Sequence, residues 1–217
     1  MKLSILIPTH NRPKLFSRAL HSVLNILPKY EIQIIVNNDS NDIVEQYSDN
    51  VCIKYYYYKY NDISSIYRQL FERSSGEFVY FLEDDDYILP NFFNCLDYSY
   101  DINYMEYISE PLINLYGPVK ALDIISTNRK VNHNNNAQTF FDTFDDEEFQ
   151  LGQILFDRKL VKDFPTGNHI NNDYHLFRNI AKLSKRFKYI KDKTWVQTTD
   201  GNDNISFPKL NSDERFC

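Results

Sequence analysis

Four short apolar segments alternate with helical patterns in the first 90 residues, and this alternation restricts the fold more than any other feature of the sequence. The apolar segments are Leu3–Ile7, Glu31–Val36, Val51–Tyr58 and Phe78–Leu82. Short, apolar runs of this kind are typical of strands that are buried on both faces of a parallel sheet. We therefore expect an α/β fold in which helices flank a mostly parallel sheet and the crossovers are right-handed.

Two helices are predicted between these strands. The first begins after Asn11, which is a suitable N-cap residue, and its apolar stripe ends at Pro28. The second is capped by Ser64 or Ser65 and ends at Gly76. Helices in these places agree with a parallel sheet, because a parallel connection must return along the sheet to the edge where the next strand starts.

The second half of the chain is less regular. We predict a short helix at Asn91–Leu96, strands at Ala121–Ser126 and Gln150–Phe156, a helix at Asn172–Leu183 and a polar tail from Val196 to Ser206. No internal repeat or linker-like segment divides the sequence. At 217 residues the chain is therefore expected to form a single domain.

The composition is that of a globular protein, with 42% hydrophobic and 25% charged residues. The formal net charge of −6 argues against a general electrostatic attraction to nucleic acid and leaves only a local basic patch for that purpose. The sequence contains no apolar run long enough to span a bilayer. Its three cysteines are an odd number in no metal-ligand spacing, so we predict a reducing, cytoplasmic location.

Glycine-rich phosphate loops are missing from the sequence. Only five glycines are present, and neither GxGxxG nor GxxxxGK followed by Ser or Thr occurs. A nucleotidyltransferase could share a similar sheet but normally begins with such a loop, so that class is disfavoured. If the protein binds a nucleotide, other groups must hold the phosphates.

Polar side chains collect where three of the predicted strands end. They are Thr9-His10-Asn11-Arg12 after the first strand, Asn37-Asn38-Asp39 after the second and Glu83-Asp84-Asp85-Asp86 after the fourth. In an open parallel sheet, ligands bind outside the carboxyl ends of the strands. One such cluster alone indicates a capped turn, whereas three of them predict a binding site at this edge of the sheet.

The acidic cluster gives the clearest chemical signal. Four adjacent carboxylates after a buried strand repel one another strongly unless a cation lies among them. Oxygen ligands favour a hard divalent ion, so we predict Mn²⁺ or Mg²⁺. A few carboxylates with open coordination positions can hold such an ion against a diphosphate, which predicts chemistry at a phosphate leaving group.

Three sequence motifs together resemble the family-2 glycosyltransferases of GT-A fold. They are ILIPTHNRP at Ile5–Pro13, VNNDS at Val36–Ser40 and GEFVYFLEDDD at Gly76–Asp86, with Pro90 four positions later. The resemblance covers residues 3–95. It implies an inverting transferase that uses a nucleotide-diphosphate sugar, usually linked to UDP, together with a divalent metal. It also implies a donor-binding half at residues 1–95 and an acceptor-binding half at 96–217.

The resemblance implies that the first two motifs hold the base and the ribose of the donor. The corresponding residues here are Pro8, Thr9 and Arg12 in the first motif and Asn37 and Asn38 in the second. An Asp-Asp pair is usual at the second position, so this sequence departs from the family pattern there. Asparagine can accept a hydrogen bond from the uracil imide and donate one to the adjacent carbonyl, so uracil recognition is still expected.

Two further residues are candidates for nucleotide binding. Asp39 could take over the role of the usual acidic residue after the second strand. Arg68, on the helix before the fourth strand, is placed like the basic residue that often faces the nucleotide in the family, and an ordinary surface arginine is the alternative interpretation.

The acidic motif carries the implied metal site. The metal-binding aspartate of the family lies five residues before the closing proline, which makes it Asp85 here. Glu83 and Asp84 would lie beside it, against the ribose, the sugar or the water ligands of the metal. A further ligand from the tail is common in related folds, and Asp200 or Asp203 would have to provide it in this chain.

An inverting transfer also needs a general base on the acceptor hydroxyl. Family-2 enzymes usually carry it at the start of a late helix, and Asn172–Arg178 resembles that segment. Asp173 is therefore our candidate base. Its alternative role is that of an aspartate in the first turn of a helix, favoured there by the helix dipole. His175 and His169 are the next candidates.

A basic stretch follows this candidate base. Phe177–Lys193 contains seven Lys or Arg residues and one acid. It is interpreted either as a solvated surface that balances the acidic residues 142–148 or as a contact for an anionic acceptor, namely a lipid-linked or phosphorylated glycan or nucleic acid. A surface glycan or lipid-linked saccharide is the predicted acceptor.

Two alternatives to this function stay open from the sequence. A virus-type glycosyltransferase that acts on hydroxymethylated DNA bases agrees with the basic stretch, but the chain has a net negative charge and no recognisable nucleic-acid module. A non-catalytic module that binds a nucleotide sugar would keep the three motifs and lose the base. Release of nucleoside diphosphate distinguishes an active transferase from both the binding module and a nucleotidyltransferase, which releases pyrophosphate.

Overall fold

A computed structural model describes residues 2–10, 12–26, 32–38, 53–57, 63–109, 151–164 and 172–198. The strands of this part of the chain are β1 (Leu3–Thr9), β2 (Ile32–Asn38), β3 (Ile53–Tyr57), β4 (Phe78–Phe81), β5 (Tyr87–Ile88), β6 (Ile102–Ser109), β7 (Ile154–Asp157) and β8 (Phe187–Gln197). Its α-helices are α1 (Pro13–Leu24), α2 (Ile63–Arg73), α3 (Phe92–Cys95) and α4 (Asn172–Leu183). Two short 3₁₀ turns, Leu151–Gln153 and Arg158–Leu160, flank β7.

The strands form one mixed sheet in the order β3-β2-β1-β4-β7-β6-β8-β5. The first four strands of the chain pair in parallel, as predicted. Strand β7 is antiparallel to both β4 and β6, whereas β8 is parallel to β6. Strand β6 therefore runs in the same direction as β4, and the antiparallel strand β7 separates these two parallel groups. Strand β5 pairs with β8 in antiparallel orientation at the edge of the sheet.

The apolar run of β1 is explained by burial on both faces of the sheet. Leu6 belongs to a core cluster that includes residues of α2 and α4, whereas Ile5 and Ile7 belong to a second cluster with residues of α1 and α3. All three side chains are fully buried. Because side chains of a strand alternate between its faces, two covered faces require apolar residues at every position.

Helix α1 agrees with its predicted apolar stripe. It buries Phe16, Ala19, Leu20 and Val23, which recur at helical spacing. The N-cap position is Arg12, and not Asn11 as the sequence suggested, and the side chain of Arg12 makes no capping hydrogen bond. Proline in the first turn fits this start, because its missing N–H would have no helical partner there.

The limits of α2 differ from the prediction. The helix begins at Ile63, so Ser64 and Ser65 lie within its first turn and do not cap it. It ends at Arg73, three residues before Gly76. A Cβ at Gly76 would lie 2.5 Å from the backbone nitrogen of Ser4, so this glycine is needed for close packing against β1 and does not end the helix.

The second half of the chain holds most of the differences. Strands β6 and β8 were not predicted, and the predicted polar tail begins within β8. Polar residues interrupt both strands, so neither gives a continuous apolar run. The predicted strand at Gln150–Phe156 is a 3₁₀ turn followed by β7, and the predicted strand at Ala121–Ser126 lies outside the described residues. Helix α4 has the predicted limits. Among the helices described, none has the length and apolar character that a membrane span requires.

Candidate functional site

The ends of β1 and β4 lie side by side because the two strands pair in parallel. Phe81, the last residue of β4, pairs with Leu6, and β1 continues for three more residues to Thr9. A tight turn follows β4, in which the backbone nitrogen of Asp86 donates to the carbonyl of Glu83 at 3.1 Å. We call residues Glu83–Asp86 the acidic turn. The structure therefore brings the first and third predicted clusters to one edge of the sheet.

Arg12 joins these two clusters. Its Nη1 donates to Asp84 Oδ1 at 3.0 Å and to Asp85 Oδ2 at 3.2 Å. The side chain of Arg12 is 19% exposed, and those of the two aspartates are 7% and 6% exposed. One guanidinium thus balances part of the negative charge of two buried carboxylates, at the end of the first strand where the sequence placed a binding residue.

Three carboxylates of the acidic turn are close enough to bind one cation. Ligand oxygens of Glu83, Asp85 and Asp86 all lie within 4.8 Å of one another. Carboxylate oxygens are the ligands that Mg²⁺ and Mn²⁺ prefer, so this donor set fits the predicted ion. Asp84 is directed to Arg12 instead. Asp86 was not among the predicted binding residues, although it belongs to the same acidic run.

The environment of the acidic turn penalises negative charge. Burial raises the pKa of Asp84 to about 6, although the Arg12 guanidinium acts in the opposite direction. Burial, reinforced by the negative charges of Glu83 and Asp85, raises the pKa of Asp86 well above its ordinary value of 3.8. A cation bound among these groups would offset the cost that their ionisation carries in the folded protein.

Side chains from the neighbouring helix support the turn. The hydroxyl of Tyr67 on α2 donates to Glu83 Oε1 at 3.1 Å. The next residue, Arg68, is 54% exposed and its Nε donates to Glu72 Oε1 at 2.8 Å, one helical turn away. Among the contacts of the described residues, Tyr67 therefore reaches the acidic turn from α2 and Arg68 forms a pair on the helix surface.

Four other predicted donor-binding residues lie at the same edge. Pro8 and Thr9 finish β1, and they pair with Asn37 and Asn38, the last residues of β2. Thr9 is buried, at 3% exposure. The side chains of Asn37 and Asn38 are outside the described part of the structure, as is the whole of Asp39.

The candidate base lies in the first turn of α4. Asp173 is the second residue of this helix, and its side chain is not among those described. Helix α4 packs on the face of the sheet shared with α2, and three residues separate its end from β8, which runs parallel to β6. The end of the helix therefore lies near the start of β8, at the edge of the sheet opposite to the acidic turn.

Of the remaining candidates near the base and in the tail, the structure describes only His175. His175 is exposed on α4. His169, Asp200 and Asp203 lie outside the described residues.

The basic stretch is divided between α4 and β8. Three of its positive side chains form ion pairs with acids of the segment that precedes or forms β6: Arg186 with Asp101 at 3.2 Å, Lys188 with Asp97 at 3.8 Å and Lys193 with Glu106 at 3.1 Å. The other four are exposed: Arg178, Lys182, Lys185 and Lys191. Part of the positive charge is therefore balanced within the fold.

Comparison with protein families gives the first half of the chain an assignment. Residues 4–96 match the family model described as glycosyl transferase family 2. Residues 4–96 belong to this family. The family-2 region contains β1 to β4 and the acidic turn, which are the elements that form the candidate site.

A curated relative supports the same assignment. The chain is 31% identical over 125 residues to the GalNAc(5)-diNAcBac-PP-undecaprenol beta-1,3-glucosyltransferase of Campylobacter jejuni. The aligned region covers 54% of this chain and 40% of the relative. The match therefore spans less than half of the length of that protein.

Solved structures show that this chain has the GT-A fold. The S. aureus TarS fragment 1–349 in complex with UDP-GlcNAc matches with a TM-score of 0.69 and 20% identity, over 93% of this chain and 59% of that one. The mannosyltransferase PcManGT of Pyrobaculum calidifontis, in complex with GDP-Man and Mn²⁺, matches with a TM-score of 0.66 and 14% identity, over 97% and 58% of the two chains. These likenesses extend beyond residue 96, since they cover more than nine-tenths of this chain.

Proposed function

We propose that this protein is a metal-dependent glycosyltransferase that moves a sugar from a UDP-linked donor to a hydroxyl group of an acceptor, with inversion at the sugar carbon. The observation that carries the proposal is the convergence of Arg12 with the acidic turn at the carboxyl edge of a family-2 sheet. Two structural neighbours were solved in complex with UDP-GlcNAc and with GDP-Man and Mn²⁺, which supports a nucleotide-sugar donor.

The acidic turn is the proposed metal site. Glu83, Asp85 and Asp86 would hold Mn²⁺ or Mg²⁺, since their oxygens are close together and of the right type. Such an ion would supply positive charge to the diphosphate as it leaves. Asp84 and Arg12 complete the charge balance beneath it, because the guanidinium already neutralises part of this cluster. The proposal includes Asp200 or Asp203 as a further ligand.

The first two strands are proposed to bind the nucleoside. Pro8 and Thr9 end β1 beside Asn37 and Asn38 at the end of β2, so a base and ribose laid across this edge would meet both pairs. An asparagine amide at this position would accept a hydrogen bond from the uracil imide N–H and donate one to the adjacent carbonyl. Arg68 and Asp39 are included as further candidates for nucleotide contacts.

Asp173 is the proposed general base. In the transfer, its carboxylate takes the proton of the acceptor hydroxyl while the new bond from that oxygen to the sugar carbon forms. The bond from the same carbon to the diphosphate oxygen breaks, and the nucleoside diphosphate leaves with the electron pair. Attack opposite to the leaving group inverts the configuration. The proposal places the start of α4 near the donor edge, since the end of this helix precedes β8 at the opposite edge.

The proposed acceptor is a lipid-linked saccharide or a related glycan. The name of the Campylobacter jejuni relative describes a glucosyltransferase that acts on an undecaprenol-linked saccharide, which supports this choice. Residues 1–95 would bind the donor and residues 96–217 the acceptor. The exposed positive charges of α4 would face an anionic part of the acceptor. We place the reaction in the cytoplasm, as the odd number of cysteines suggests a reducing compartment.

A ligand screen tests the donor half of the proposal. Melting temperatures are measured with nucleoside diphosphates and their sugars, each with and without Mn²⁺, because a ligand that binds the folded state raises the transition. We expect a rise with UDP or a UDP-sugar that requires Mn²⁺ and is lost in Asp85→Asn. A rise with another nucleotide would overturn the assignment of uracil. No rise with any ligand, in a folded protein, would overturn the donor site.

A further inference from the structure

Arg18 on α1 contacts the main chain of the acidic turn. Its Nη2 donates to the backbone carbonyl of Asp85 and, at 2.9 Å, to the hydroxyl of Thr198. The guanidinium lies over the ring of Tyr87, at 5.3 Å from the ring centre, directly after the turn. This arginine contacts the main chain of the turn, unlike Arg12, which contacts its carboxylates.

Thr198 reaches the same point from the other end of the chain. It follows the last residue of β8 and is 1% exposed. Its hydroxyl donates to the carbonyl of Asp85, and its backbone nitrogen donates to Asp86 Oδ1 at 2.9 Å. The carbonyl of Asp85 thus accepts hydrogen bonds from Arg18 and from Thr198, and these two residues also bind each other.

These contacts act on the residues that carry the proposed ligands. Carboxylates at adjacent positions repel one another, so a turn that is free to move would separate them. In metal sites, partners outside the ligand sphere orient the ligands, and loss of such a partner typically weakens metal binding by about 10–100-fold. Arg18 and Thr198 have the geometry of such partners, because they fix the main chain between Asp85 and Asp86.

We propose that Arg18 and Thr198 hold the backbone of the acidic turn in the orientation that lets Asp85 and Asp86 bind one divalent cation together. Both are positioning residues, since they act through these aspartates. The inference rests on the proposed function, because it assumes that the acidic turn binds the cation. It adds the end of β8 to the elements on which the metal affinity depends.

Mn²⁺ titrations of matched variants test this inference. Thr198→Val keeps the shape and the backbone N–H but loses the hydroxyl, and Thr198→Ser keeps the hydroxyl. Arg18→Lys keeps the charge and loses the planar fork of donors. Lys14→Met is the control, because it removes an exposed positive charge from the same helix. For each protein, free Mn²⁺ is measured by electron paramagnetic resonance, turnover is measured against Mn²⁺, and the melting temperature is measured in EDTA.

We expect Thr198→Val and Arg18→Lys to raise the half-saturating Mn²⁺ concentration about tenfold, with kcat at saturating Mn²⁺ close to that of the wild type. Thr198→Ser and Lys14→Met should keep the wild-type value. The double variant Arg18→Lys with Thr198→Val should lose little more than either single variant, because both act on one carbonyl.

A purely structural role gives a different result. It would lower the melting temperature in EDTA and leave the half-saturating concentration unchanged, and this outcome would overturn the inference alone. Failure of the wild type to bind Mn²⁺ in the presence of UDP would overturn the proposed metal site, and the inference with it. Should Thr198→Val fail to fold, the comparison of Arg18→Lys with Lys14→Met decides the question.

Discussion

Arg12 donates a hydrogen bond of 3.0 Å to Asp84, a residue 72 positions later in the chain. This contact connects the turn after β1 to the turn after β4, at the edge where a parallel sheet binds ligands. The pair therefore belongs both to the packing of the sheet and to the candidate site.

Replacement of Arg12 should reveal the repulsion that it balances. Arg12→Met leaves Asp84 and Asp85 without their common partner, so we expect a loss of about 1–3 kcal/mol in the free energy of unfolding at pH 7.5 in EDTA, allowing for the partial exposure of the arginine. Urea denaturation measures this loss. Added Mn²⁺ should recover part of it.

The control for this experiment is the surface pair of Arg68 and Glu72. Arg68→Met removes an exposed pair at i,i+4 spacing and should change the free energy of unfolding far less than Arg12→Met does. An effect of Arg12→Met as small as that of Arg68→Met would contradict the role that we assign to Arg12.

The stability of Asp84→Asn should depend on pH in a defined direction. The pKa of Asp84 is about 6 in the folded protein against 3.8 as its ordinary value, so folding disfavours the ionised form. The stability that the protonated carboxyl contributes is fully present below pH 3.8 and is lost as the pH rises through 6. Asparagine is neutral throughout. The variant should therefore be more stable than the wild type at pH 7.5, by up to about 3 kcal/mol, and the difference should close toward pH 4.

Urea denaturation in EDTA between pH 4 and pH 8 checks this dependence. Asp163→Asn, which removes a carboxylate at an exposed position, serves as the control. A variant that is less stable than the wild type at pH 7.5 would show that Arg12 favours the ionised form of Asp84 more strongly than burial disfavours it.

Asp173→Asn should separate donor binding from transfer. Asparagine cannot take the proton of the acceptor, so kcat should fall by about 10²–10⁴-fold. The rise in melting temperature with a UDP-sugar and Mn²⁺ should be preserved, because the donor site lies on other elements. Transfer assays and thermal shifts on the same preparation give both quantities. Full activity in Asp173→Asn together with loss of activity in His175→Asn would move the assignment to the histidine.

Gly76→Ala should destabilise the sheet. The added Cβ would lie 2.5 Å from the backbone nitrogen of Ser4 and 2.8 Å from the carbonyl of Phe78, and backbone atoms cannot move aside as a side chain can. We expect a loss of about 1–3 kcal/mol in the free energy of unfolding, measured by urea denaturation. Gly152→Ala is the comparison, since its nearest neighbours are ring atoms of Trp195 at 3.1 Å. A smaller loss at Gly76 than at Gly152 would contradict this explanation.

The sequence predicted β1, β2 and β4 because each is buried on both faces and therefore has an apolar run. It also predicted β3, although this strand lies at the edge of the sheet and its Tyr57 is 60% exposed. It did not predict β8, where Lys188, Lys191 and Lys193 interrupt the apolar residues. Irregular register between β6 and β8 near Glu106 also breaks the alternation that a regular strand would show. Local patterns therefore describe the first half of the chain well and the second half poorly.

Some residues of the candidate site were likewise predicted from the sequence, and others were not. Arg12 and the acidic turn were predicted because each directly follows a strand, and the topology of a parallel sheet brings strand ends together. The contacts of Thr198 could not be predicted, since it lies 113 residues from its partner Asp85 and follows a strand that has no clear sequence pattern. The role proposed for Asp86 as a metal ligand depends on the direction of its side chain within the turn, and the sequence does not specify this direction.

The place of β7 in the sheet has a consequence for the synthesis of this protein. Strand β4 finds its partner on one side in β1 but must wait for residues 154–157 on the other, and Asp86 receives its hydrogen bond from Thr198 later still. A nascent chain that has reached residue 100 therefore has an open strand edge next to an acidic turn that still lacks its contacts with Thr198, and exposed edges of this kind favour association between chains. The first half of the sheet can begin to form early during translation, but the open edge of β4 is covered only once β7 is made. The acidic turn gains its contacts with Thr198 only after all of β8 has been synthesised.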